Sequence, residues 1–98
     1  MVKHIILWNL KKEFNTDEIK NDMKQALEGL VGKIEGLLTL NVEINPFSTS
    51  NTDVMLYSEF ENEQALKNYA VHPKHVEVAD TKVRPYTKVR TVFDFEQK

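Results

Sequence analysis

The sequence predicts a single α+β domain of order β-α-β-β-α-β, a four-stranded antiparallel sheet with both helices on one face. Three observations carry this reading. Segments beginning at Val2, Leu37, Asp53 and Lys88 alternate in hydropathy with a period of two. Two stretches between them place apolar residues three and four apart, on one face of a helix. Strand and helix periods succeed one another as two βα units joined by a hairpin.

Val2 to Leu10 is the first strand. His4, Ile6, Trp8 and Leu10 share one face, and Lys3, Ile5, Leu7 and Asn9 the other. Both faces carry large apolar groups, so both are expected to be covered. Asn15 is the expected N-cap of the first helix, with Glu18 completing a capping-box-like pair. Ile19, Met23, Ala26, Leu27, Leu30, Val31 and Ile34 form one stripe, which predicts a helix of about five turns. Gly32 and Gly36 are the candidates for ending it.

Leu37 to Ile44 is the second strand, with Leu38, Leu40, Val42 and Ile44 alternating against Leu37, Thr39, Asn41 and Glu43. Asn45-Pro46 stops it, and Ser48-Thr49-Ser50-Asn51 is a polar loop. Asp53 to Phe60 is the third strand. The second helix runs from Glu61 to Ala70, with Asn62 as N-cap and Glu63 complementing the helix dipole. Pro73 ends it and opens a further helical piece, along which His75, Val78, Ala79 and Val83 recur. Lys88 to Phe95 is the last strand. The order is that of a ferredoxin-like fold. One helical layer leaves one sheet face bare, carrying Ile5, Leu7, Leu37, Met55, Tyr57 and Val92. An apolar patch of that kind needs a partner, and the simplest is a second copy of the chain, sheet on sheet.

The 98 residues suit one domain spanning 1–98. A net charge of −2 gives no pull toward nucleic acid or anionic membrane. The absence of cysteine excludes disulfides, thiolate metal sites and thiol nucleophiles. No apolar run approaches the roughly 18 residues of a membrane span. The first residues lack the features of a signal peptide, so a cytoplasmic location is expected.

Two of the three histidines lie in Asn68-Tyr69-Ala70-Val71-His72-Pro73-Lys74-His75. The corner at Pro73 can bring Tyr69 and His75 together. A phenol and an imidazole in contact suit proton transfer next to a carbonyl. The same histidine can instead tether the corner to the sheet, as most buried histidines do. His4, with Ile6 and Trp8, is expected to line the same cavity. His72 can cap the second helical piece. His72 and His75, with Glu77 or Asp80, make a poor metal site because the proline disturbs the helical spacing. No metal or cofactor is expected. Trp8 and Asn9 point to opposite faces of a strand, so they cannot line one pocket.

Val2-Lys3-His4-Ile5-Ile6-Leu7, Asp53-Val54-Met55-Leu56 before Phe60, the Tyr69-x-x-His72-Pro73-x-His75 run and the closing Val92-Phe93-Asp94-Phe95 together resemble the stress-responsive A/B barrel domain (Dabb) family. This is a branch of the dimeric α/β-barrel proteins. The resemblance covers nearly the whole chain, and the His-Pro-x-His run is its most specific part. It implies a homodimer whose two sheets close into a barrel with the helices outside. It also implies an acid–base role for Tyr69 and His75 and a pocket role for His4, because these match the residues of a plant polyketide cyclase of the family. The first helix of that cyclase carries bulky and aromatic pocket residues. Here the helix offers Met23, Ala26 and Leu27, which implies a pocket of different shape. Two function classes follow. One is a small-molecule protein with cyclase- or lyase-like acid–base chemistry. The other is a non-enzymatic, stress-protective dimer. A monooxygenase of the same barrel architecture is a third, weaker reading.

Overall fold

A computed structural model describes residues 1–98. Strand β1 (Val2–Leu10) is followed by helix α1 (Asp17–Glu28), strands β2 (Leu37–Glu43) and β3 (Val54–Phe60), helices α2 (Glu63–Val71) and α3 (Pro73–Val78), and strand β4 (Thr87–Glu96). The sheet order is β2-β3-β1-β4, antiparallel throughout, which is the expected ferredoxin-like arrangement.

The core lies between helices and sheet. His4, Ile6, Trp8 and Leu10 of β1 face it, as do Val54, Leu56, Ser58 and Phe60 of β3 and Leu40 and Val42 of β2. Met23 and Leu27 of α1 and Ala65 and Tyr69 of α2 close over them. Glu28, at the end of α1, accepts from Val42 N (2.9 Å) and from Lys24 Nζ (2.9 Å), while Lys24 also donates to the Val42 carbonyl (2.6 Å). These contacts fix α1 on the edge strand β2.

Four local expectations need correction. Thr16, not Asn15, caps α1, accepting from Ile19 N. The helix ends at Glu28, well short of five turns, because Gly29, Gly32 and Gly36 favour a chain of tight turns. Amides there reach back three residues, as in Lys33 N to Leu30 O (3.0 Å). The tighter winding keeps Leu30 and Ile34 buried but turns Val31 out to solvent. Gly36 (φ +85) is required where it sits, since a Cβ there would lie 2.5 Å from Ala65 Cβ of α2.

The other two corrections concern the bare face. A register shift between Leu37 and Thr39 inserts Leu38 as a bulge, so Leu37 joins Leu40 and Val42 on the helix side. Val92 also faces the helices, because it pairs with Ile6, and so do its alternates Arg90 and Asp94. The bare face therefore carries Ile5, Leu7, Met55, Tyr57 and Phe93 at its centre, Phe93 being 66% exposed. At one end of this face Glu59 accepts from Lys3 Nζ, Tyr57 Oη (2.6 Å) and Thr39 Oγ1 (3.3 Å). No helix is long and apolar enough to cross a membrane.

Candidate functional site

Helices α1 and α2 cover β2, β3 and β1 but stop short of the edge strand β4. Its helix-side residues Arg90, Val92 and Asp94 therefore open onto space that no element fills. The result is a cleft of about 550 Å³ between α2 and the β1–β4 pair. His4, Leu66, Lys67, Arg90, Val92 and Asp94 are among its walls. That volume falls in the range of small-molecule sites.

At its floor His4 Nδ1 donates to Asp94 Oδ1. The two residues stand directly opposite one another across β1 and β4. The imidazole is buried while the carboxylate is half exposed. A carboxylate can only accept, so Nδ1 carries the hydrogen and Nε2 keeps a lone pair when the ring is neutral. Asp94 and Lys67 escaped the sequence reading. The Asp94 signal was the parity of β4. Assigning Val89, Phe93 and Phe95 to the bare face puts Asp94 beside His4.

Behind the cleft lies a smaller chamber of about 50 Å³, lined by Ile6, Trp8, Tyr69, His75, Arg84 and Arg90 among others. The structure thus brings Ile6, Trp8, Tyr69 and His75 together and places His4 in the adjoining cleft. Arg90 borders both spaces. The corner geometry that positions Tyr69 and His75 follows from local sequence. Asn62 caps α2 by accepting from Ala65 N (2.8 Å). His72 ends α2 in an extended conformation and its Nδ1 accepts from Lys74 N (3.1 Å), with Pro73 opening α3.

Tyr69 and His75 meet by ring stacking, with centroids 4.1 Å apart and planes inclined by 35°. No hydrogen bond joins them. His75 Nδ1 donates instead to the Ala70 carbonyl (3.3 Å). Tyr69 packs edge-on against Phe60 (5.1 Å) and His4 (6.4 Å), so an aromatic chain runs from cleft to corner. Burial pushes the Tyr69 phenol well above its usual range, so it stays protonated. Burial also pushes the His75 imidazole below its ordinary value of 6.5. The Ala70 carbonyl opposes this, and the positive charges of Arg84 and Arg90 add to it. No three His, Cys, Asp or Glu side chains converge to hold a metal ion, and His72 is occupied as a cap.

The lowered His75 value carries a sign for stability. Above 6.5 the ring is neutral both folded and unfolded, and its contribution is complete. As pH falls below 6.5 the unfolded chain takes up the proton first, so stability declines until pH passes the folded value. Urea midpoints measured between about pH 7.5 and pH 5 should fall, and His75→Gln should shrink the fall. An unchanged pH profile in that variant would show that His75 is not a source of it.

A family model described as Stress responsive A/B Barrel Domain matches residues 2–97. No curated protein matches the chain by sequence. Among solved structures, a dimeric protein of unknown function with a ferredoxin-like fold from Bacteroides fragilis is 32% identical. It superposes with a TM-score of 0.88, over 98% of this chain and 95% of that one. A dimeric ferredoxin-like protein of unknown function from Thermobifida fusca is 20% identical, with a TM-score of 0.85 over 98% and 90% of the two chains. A hydroxynitrile lyase from Passiflora edulis is 13% identical, with a TM-score of 0.81 over 96% and 90%. At the last two identities the likeness is one of fold alone.

Proposed function

We propose, from the premise that this chain belongs to the stress responsive A/B barrel domain family, that it binds a small carbonyl compound in the cleft between α2 and β1–β4 and moves a proton on it with His4. The single observation behind this reading is the Asp94 carboxylate at His4 Nδ1. It fixes the tautomer that leaves Nε2 as the base, the arrangement that proton abstraction needs. Arg90 on the cleft wall, which enters no ion pair, supplies positive charge for an oxygen that becomes more negative as the proton leaves, while Lys67 is paired with Glu63 on the same wall (3.4 Å). Tyr69 and His75 stand behind His4 as its packing support. This chemistry is of the cyclase or lyase kind. Trp8 and Asn9 give no support to a monooxygenase, since Asn9 lies on the opposite strand face and donates to the Asn51 carbonyl.

Self-association through the bare sheet face is part of the proposal. The apolar centre at Ile5, Leu7, Met55, Tyr57 and Phe93 supports it, as does the dimeric state of similar structures. One observation favours a non-enzymatic reading for the Tyr69–His75 pair: the chamber beside it is about 50 Å³, too small for a whole ligand.

The test is a thermal-shift screen of small aldehydes and ketones, followed by NMR of solvent deuterium entering the α-carbon of each hit. Asp94→Asn removes the negative charge beside Nδ1, so the imidazolium formed when His4 takes the proton loses its counter-charge. It should keep binding but slow exchange by about 10²–10⁴-fold, and His4→Gln should do the same. A panel without hits, or exchange indifferent to both substitutions, would sink the proposal.

A further inference from the structure

We propose that the chamber behind the cleft is an anion subsite, which takes a carboxylate-sized group on the indole N–H of Trp8 and the guanidinium of Arg90. Trp8 is 3% exposed, and its Nε1 finds no hydrogen-bond acceptor in the chain. Buried donors are almost always paired, so this one marks a place where an acceptor from outside belongs. The chamber it lines has room for roughly four water-sized atoms, at one such atom per 10–15 Å³. A carboxylate and its attached carbon have that size.

The surrounding charges select the sign of the occupant. No carboxylate lines the chamber, and two arginines do. Arg84 is held by Asp80. Arg90 enters none of the chain's ion pairs, so its charge is uncompensated. His75 contributes no negative charge, and its Nδ1–H is already committed to Ala70 O. The Tyr69 phenol stays protonated. A buried N–H donor and an unpaired arginine lining one space that holds no carboxylate are complementary to an oxyanion. Because Arg90 borders both spaces, an acid seated here extends into the cleft. The identity of that extension rests on the proposed function above, while the subsite itself can be tested with acetate alone.

Trp8 is the only tryptophan, so a ¹⁵N-labelled sample gives a single indole N–H cross-peak. Sodium acetate should move that peak saturably, and sodium chloride at equal ionic strength should not. Arg90→Gln should weaken the response by about tenfold or more. Acetate should also raise the melting temperature of the parent but not of Trp8→Phe, which keeps an aromatic ring and loses the donor. A stationary indole peak, or one that chloride moves equally, overturns the inference and leaves the chamber to water. So does an acetate-induced thermal shift that survives in Trp8→Phe, because the anion would then sit elsewhere, such as at Lys67. Should Trp8→Phe fail to fold, the titration of the parent and of Arg90→Gln decides alone. His4→Gln should leave the acetate response intact, so failure of the acid–base proposal and failure of the subsite are read separately.

Discussion

Phe93→Lys should convert a micromolar dimer into a monomer in sedimentation experiments, and Leu7→Lys should do the same. Phe93 pairs with Ile5 near the middle of the bare face, and Leu7 lies further along the same face. An unpaired ammonium buried there loses its hydration with no counter-charge in the apolar centre, at a cost of several kcal/mol. Each 1.4 kcal/mol is tenfold in Kd, so weakening by about 10²–10³-fold is expected. Val92→Lys is the instructive control. Its side chain faces the cleft on the helix side, so it should leave association unchanged. A parent that sediments as a monomer, or a Phe93→Lys protein that still dimerises, would remove the sheet-on-sheet proposal.

Tyr69→Ala should be among the most destabilising substitutions, at about 3–5 kcal/mol. It removes a buried ring packed against Phe60, His4 and His75 and leaves a cavity that the stiff sheet cannot fill. His75→Ala should cost about 2 kcal/mol. That combines one hydrogen bond to Ala70 O with the loss of the stacked pair. Tyr69→Phe should cost under about 1 kcal/mol, because the hydroxyl makes no hydrogen bond within the chain. Chemical denaturation of the three variants checks the order. Should Tyr69→Ala and His75→Ala prove neutral or stabilising, the rings would be held for function at the fold's expense, and the supporting role given to them here would fail.

Much of this was legible because it is local. Alternation over Val2–Leu10 and Val54–Phe60 identified the inward set, and Asn62 and Pro73 punctuated the helices where the structure has them. The two misreadings of the bare face arise because period-two patterns fix parity but not sign. In β4 the more apolar set, Val89, Phe93 and Phe95, faces away from the core, and the mixed set Arg90, Val92 and Asp94 faces the helices. If the far face meets a second copy, as proposed, the usual cue is inverted there. At Leu37-Leu38 two identical residues hid a bulge, since either could have been the inward one. The His4–Asp94 pair joins positions far apart in sequence and depends on the β1–β4 register, which neither strand specifies alone. The orphaned Trp8 donor is a property of packing and has no sequence signature.

The overhang of β4 beyond the two helices has a consequence for how such a chain diversifies. Two residues that would choose a ligand, Lys67 and Arg90, are exposed and pair with no buried group, so most replacements there change stability by no more than about 0.5 kcal/mol. The residues that hold the fold, such as Phe60, Met23 and Leu56, lie apart from the cleft walls and are fully buried. Selection can therefore rewrite specificity by single steps without first accumulating surplus stability. His4 and Trp8 belong to both sets, buried in the core and facing the proposed ligand spaces, which makes them the positions where drift in activity would be dearest to the scaffold.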